Sequence, residues 1–161
     1  MYFRIGQGFD VHRLAAGEKL WLGGILIPHT KGTVAHSDGD VLIHAICDAL
    51  LGAINEGDIG THFPDDSEKF RNIDSKILLK ETYRMVSGKG YEIVNIDSTV
   101  ILQEPKLKLF IPRIKDVLAG LLGINPGQIS VKATTTEKLG FEGREEGVSA
   151  SAVVLLKQKS I

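Results

Sequence analysis

The sequence predicts a single-domain layer fold of the α/β or α+β kind, and three observations carry that prediction. Segments with strand-like alternation and segments with helical spacing follow one another without long linkers. The chain, at 161 residues and 17.5 kDa, has the size of one domain with a real core. Residues 41–51 are apolar around nearly their whole helical circumference, and such a helix is buried on most sides.

The elements follow in chain order. Residues 3–11 alternate as a first strand. Leu20-Trp21-Leu22 and Ile25-Leu26-Ile27 read as a strand or hairpin broken at Gly23-Gly24 and stopped by Pro28. Residues 29–36 read as a loop and as a candidate lid. Ser37 or Asp38 is placed to cap a helix over about 38–54. A loop rich in Gly and Asp spans 55–66. Asp74 starts a second helix over 75–87, closed by Gly88 or Gly90. Residues 91–103 read as a strand, with Ile93, Asn95 and Asp97 on one side and Val94, Ile96 and Ser98 on the other. Pro105 and Lys106 open a third helix ending at Gly123. Strands over 129–135 and 148–157 flank a polar, glycine-punctuated loop.

Composition narrows the function. Nineteen basic and 20 acidic residues leave a formal charge of −1, with no basic stripe for nucleic acid. Cys47 is the single cysteine, lies in an apolar segment and reads as a small core residue, so no internal disulfide framework exists. No secretory signal and no run of ~20 apolar residues is visible, which predicts a cytoplasmic protein without a membrane span.

Several constellations carry chemistry. Asp10 and His12, two apart in a strand, point to the same side. With His44 they would make a set of two histidines and one carboxylate, leaving a fourth tetrahedral position open as catalytic zinc sites do. Such donors suit zinc, with manganese, cobalt and iron as alternatives. Asp-x-His alone reads equally as a wet strand end. Alone, His44 reads as a hydrogen-bonded core histidine. The polar stripe Asp40, His44, Asp48 on an otherwise apolar helix weighs toward a ligand, with a carboxylate one turn away to orient the imidazole. His36-Ser37-Asp38-Gly39-Asp40 precedes a helix start, where two acids argue against simple phosphate binding. In the loop from Gly57 through Gly60, Phe63 and Asp65, Asp58 or Asp65 is suited to accept bonds from substrate hydroxyls, or is there for the turn. The run from Lys132 through Thr134, Thr135, Thr136 and Glu137 offers hydroxyls and N–H groups to a diphosphate and a carboxylate to a divalent cation, or is an ordinary Thr-rich strand end.

At these residues the chain closely resembles the 2-C-methyl-D-erythritol 2,4-cyclodiphosphate synthase family. The matching stretches are residues 4–12, 35–40, 48–53, 57–60, 63–65 and 132–141, ordered along nearly the whole chain. The resemblance implies an α+β fold with a mixed β-sheet and helices on one face, assembling as a homotrimer around a central cavity with active sites between subunits. It implies the substrate 4-diphosphocytidyl-2-C-methyl-D-erythritol 2-phosphate, whose 2-phosphate attacks the β-phosphorus and expels CMP. Asp10, His12 and His44 match zinc ligands, and Glu137 matches a holder of Mg2+ or Mn2+ between the α- and β-phosphates. His36 and Thr135 match positions that stabilise the transition state. Asp10, His12, His36 and Ser37 match substrate contacts, and Asp58, Gly60, Phe63 and Asp65, with residues 63–67, match contacts to the erythritol. Leu102, Pro105, Lys106 and Leu107, with Thr134, Thr135, Thr136 and Glu137, match the cytidine and diphosphate pocket. Phe141 and Arg144 match further substrate contacts, and in some relatives the central cavity holds an isoprenoid diphosphate.

The implied chemistry suits the residues, because the substrate brings its own nucleophile and no Ser-His or Cys-His pair is apparent. Competing readings are a metal-dependent phosphohydrolase, told apart by product mass, and a non-catalytic isoprenoid-diphosphate binding trimer or small structural domain. The last two predict no CMP release.

Overall fold

Alternating burial along the strands leaves the sheet with one buried and one exposed side, and the helices cover the buried side. The computed structural model describes residues 2–64 and 72–159. Asp65 and the rest of residues 65–67, expected to touch the erythritol, lie outside them. The elements are β1 (Phe3–Ala16), β2 (Leu20–Leu22), β3 (Ile25–Ile27), β4 (Lys31–Val34), α1 (Val41–Ala53), α2 (Ile59–His62), α3 (Ser75–Gly88), β5 (Tyr91–Ile101), α4 (Ile111–Leu122), β6 (Ile129–Thr134), α5 (Gly140–Gly143) and β7 (Gly147–Gln158). Five strands form a mixed sheet in the order β4-β1-β7-β5-β6, with β5 and β6 parallel and the other pairs antiparallel. This is the expected α+β fold.

The layer over the sheet is built on α1, whose Leu42, Ile43, Ile46, Leu50 and Leu51 are all fully buried. It packs on β1 and β7, and α3 and α4 cover the side toward β5 and β6. Cys47 is buried within α1, and burial pushes its thiol up to about 12. Among the described residues no helix is long and apolar enough to cross a membrane.

The structure corrects several expected boundaries. Strand β1 runs on to Ala16 because its end pairs with β4, from Arg13 opposite Val34 to Ala16 opposite Lys31. The segment expected to be a loop and lid is therefore largely an edge strand held in the sheet. Helix α1 starts at Val41, not near Asp38: Gly39 has φ 71°, outside the helical region, and Asp40 is the cap, accepting from the Ile43 N–H. Helix α4 starts at Ile111 rather than at Pro105, because Pro112 fits a first turn and would clash with and unbond a helix interior. The alternation expected through β5 breaks at a bulge between Ile93 and Asn95, so Ile93 shares the buried side with Ile96, Ser98 and Val100. Gly23 and Gly24, with φ 59° and 80°, form the two-residue turn joining β2 to β3, a conformation that excludes most side chains.

Candidate metal centre

Asp10 and His12 lie on the side of β1 that faces α1, two residues apart as a strand requires. His44 reaches them from the first turn of α1. The three donors meet as a near-equilateral triangle. His12 Nε2 is 3.0 Å from His44 Nδ1, His44 Nδ1 is 3.0 Å from Asp10 Oδ2, and His12 Nε2 is 3.1 Å from Asp10 Oδ2. Tetrahedral zinc at ~2.0–2.1 Å from each donor would set them roughly 3.3 Å apart, so a small opening of the triangle fits the ion. Two imidazoles and one carboxylate are also the donor types zinc takes in catalytic sites. Among the described residues this is the one His/Cys/Asp/Glu group close enough to hold an ion.

The electrostatics reinforce the cluster. Burial works against an ionised Asp10, but hydrogen bonds and charge from His12 and His44 win and hold its carboxyl far below the usual range. Burial also pulls the His44 imidazole down, yet its bond to Asp10 and the charges of Asp10, Asp40 and Asp38 leave it above the ordinary histidine value.

The polar stripe on α1 divides into three separate jobs, which corrects the expectation that a stripe carboxylate orients His44. Asp40 is fully buried and accepts from the N–H groups of Gly23 (2.9 Å), Gly24 (2.7 Å) and Ile43 (3.0 Å), so it ties the β2–β3 turn to the start of α1. Burial raises its carboxyl first, with those bonds opposing. Asp48 accepts from the Ile59 N–H at 2.7 Å and pins the loop before α2. The group beside His44 Nε2 is instead Ser75 Oγ, at 2.9 Å, with Ser37 Oγ at 3.3 Å. Ser75 lies 31 residues away at the start of α3, and no local sequence pattern joins it to His44.

Asp10, His12 and His44 share a cavity of about 320 Å3 with His36, Ser37, Gly60 and Phe63. Asp58 does not line it; its Oδ1 accepts from the Thr61 N–H and hydroxyl, both at 2.8 Å, and caps α2. Leu102, Pro105, Lys106, Leu107, Thr134 and Thr135 line a second cavity of about 430 Å3 where β5 and β6 end. Phe141 and Arg144 border a third, of about 880 Å3, which His12 also reaches. Arg144 is bound through two nitrogens to Glu146. Thr136 and the exposed Glu137 stand on the turn after β6 and border none of these three cavities. Within one chain, then, Glu137 is not brought to the Asp10–His12–His44 cluster.

Known proteins resemble this chain over nearly its whole length. The family model described as YgbB family matches residues 3–157. A protein of Bacteroides fragilis (strain YCH46) named 2-C-methyl-D-erythritol 2,4-cyclodiphosphate synthase is 60% identical over 158 residues, covering 98% of this chain and 99% of that one. The solved structure of the bifunctional IspDF from Campylobacter jejuni superposes with a TM-score of 0.94 at 47% identity, covering 98% of this chain and 42% of that one. A 2C-methyl-D-erythritol-2,4-cyclodiphosphate synthase solved in a CDP-bound form gives 0.89 at 40% identity, covering 96% of this chain and all of that one. With a match that spans nearly its whole length, the chain belongs to the YgbB family, alongside relatives named as 2-C-methyl-D-erythritol 2,4-cyclodiphosphate synthases.

Proposed function

We propose that the protein is an enzyme of isoprenoid precursor biosynthesis that converts 4-diphosphocytidyl-2-C-methyl-D-erythritol 2-phosphate to 2-C-methyl-D-erythritol 2,4-cyclodiphosphate and CMP. The observation that carries this reading is the donor triangle of Asp10, His12 and His44, in a chain whose relatives bear that enzyme's name. A 2-phosphate oxygen of the substrate attacks the β-phosphorus, the bond from that phosphorus to the CMP oxygen breaks, and CMP leaves. The nucleophile belongs to the substrate, so the protein's task is to position and to neutralise charge.

The residues divide that task. Asp10, His12 and His44 would hold the ion, and when bound it would act as a Lewis acid on the β-phosphate, with Mg2+ or Mn2+ at Glu137 screening the diphosphate. His36 and Ser37 border the same cavity and offer an imidazole and a hydroxyl to phosphate oxygens. Gly60, Phe63, Asp58 and Asp65 take the erythritol side. Leu102, Pro105, Lys106 and Leu107, with Thr134 to Glu137, take the cytidine and diphosphate; a relative solved in a CDP-bound form supports a cytidine nucleotide as the kind of ligand. Phe141 and Arg144 are further contacts. Holding the attacking oxygen in line turns the step into a ring closure, where orientation is worth ~7–11 kcal/mol.

The shape of one chain supports association with further copies, which the trimer reading requires. The uncovered side of the sheet presents Phe3, Ile5, Phe9, Val11 and Val153, an apolar surface of a kind that marks an interface. The metal-side and nucleotide-side cavities are separate within one chain, as expected if a neighbouring subunit completes each site. Incubation of the metal-loaded protein with the cytidyl substrate tests the reading: CMP release that a chelator stops is expected, and no CMP release would overturn it.

A further inference from the structure

The two ring nitrogens of His44 face different surroundings, and the hydrogen-bond arithmetic decides which one keeps its hydrogen when an ion takes the other. Nε2 lies 2.9 Å from Ser75 Oγ. Ser75 Oγ also donates to Asp38 Oδ1. An Asp38 carboxylate is an acceptor only, and both of its oxygens already serve N–H groups: Oδ1 accepts from Asp40 at 3.1 Å and Oδ2 from Ser75 at 2.9 Å. A hydroxyl has a single hydrogen to give. With that hydrogen on Asp38, Ser75 Oγ can only accept from His44. Nε2 is then an N–H, which leaves Nδ1, 3.0 Å from both Asp10 Oδ2 and His12 Nε2, as the ring nitrogen that gives up its hydrogen to an ion.

Resting on the metal reading above, we infer that Asp38 and Ser75 are positioning residues that hold His44 in its Nε2–H tautomer and aim Nδ1 at the ion. Metal-binding histidines give their second N–H to a carboxylate, a carbonyl or water. Here the carboxylate acts through an intervening serine. Ser75 is fully buried at the first position of α3, and its backbone N–H is fixed to the same Asp38, so its hydroxyl cannot easily turn away. Ser37 Oγ, at 3.3 Å and already accepting from the Gly39 N–H at 3.1 Å, is a longer second acceptor on the same side.

The test uses the full-length protein and zinc alone. Ser75→Ala keeps the bond from the residue-75 N–H to Asp38 and removes only the hydroxyl. Its zinc affinity, read by competition with a chromophoric chelator, is expected to fall roughly 10–100-fold. Nitrogen NMR of the unmodified zinc-loaded protein is expected to show the His44 proton on Nε2 and the metal on Nδ1. Metal on Nε2, or a Ser75→Ala protein that binds zinc as tightly as the parent, would overturn the inference. His44→Ala separates the two levels. If it still binds zinc, the metal reading itself fails. If it does not, while Ser75→Ala binds normally, only the role of Ser75 and Asp38 fails.

Discussion

Gly8 sits so close to α1 that a Cβ added to it would fall 2.0 Å from the Ala45 carbonyl oxygen. Gly6 stands in the same relation to Ala49, at 1.9 Å. Gly6, Gly8, Asp10 and His12 share one side of β1, so two missing side chains let the helix settle onto the strand where the ligands begin. That close approach brings His44 within 3.0 Å of Asp10. Gly8→Ala must push against backbone rather than a movable side chain. It is expected to cost at least the ~1–3 kcal/mol typical of overpacking, seen as a lower urea midpoint at unchanged slope, and to reduce zinc binding.

His12→Ala and His44→Ala are expected to purify without zinc, whereas Glu137→Gln keeps it. The reason is position: Glu137 is exposed on the turn after β6 and lies outside the donor triangle. Metal analysis of the three proteins reads this directly. The same Glu137→Gln protein should respond less to added Mg2+ or Mn2+ in turnover.

The metal-free protein should have a pH dependence of opposite sign to that of the zinc form. Asp10 is held below its usual range, so its stabilising contribution is present above the unfolded value of about 3.9 and is lost as pH falls toward the depressed native value. His44 is held above its usual range, so its contribution is complete below the unfolded value of about 6.5 and is lost as pH rises through the native value. Metal-free protein should therefore lose stability as pH rises above about 6.5. Zinc-bound protein should gain over the same window, since the ion takes unprotonated imidazole. Urea midpoints across pH, with and without zinc, check both signs.

Ile5 and Phe9 are 72% and 53% exposed on the uncovered side of the sheet. A double replacement by aspartate puts charge into the proposed contact and touches neither the core nor the ligands. Light scattering is expected to show the proposed trimer falling to monomer, with loss of turnover. A variant that stays trimeric would place the contact elsewhere.

Much of this was legible in the sequence because it rests on local pattern. Strand alternation put Asp10 beside His12, the all-round apolar segment announced the buried α1, and Gly23-Gly24 marked a turn. What was not legible depends on distant partners. The end of β1 and the edge strand β4 exist because they pair with each other. The bulge near Val94 changes which side Ile93 takes. The stripe Asp40, His44, Asp48 looked like one polar face, but its members answer to Gly23 and Gly24, to Ser75, and to Ile59. Ser75 carried only the signal of a helix start, and nothing near it in sequence pointed to His44.

As proposed above, this site closes a ring rather than activating water. The mass of the phosphorus-containing product formed with CMP from the cytidyl substrate tests it most directly. The expected product is a cyclic diphosphate, formed without the addition of water and absent when a chelator is present. A product heavier by one water, accumulating at the rate of CMP release, would show hydrolysis and contradict it.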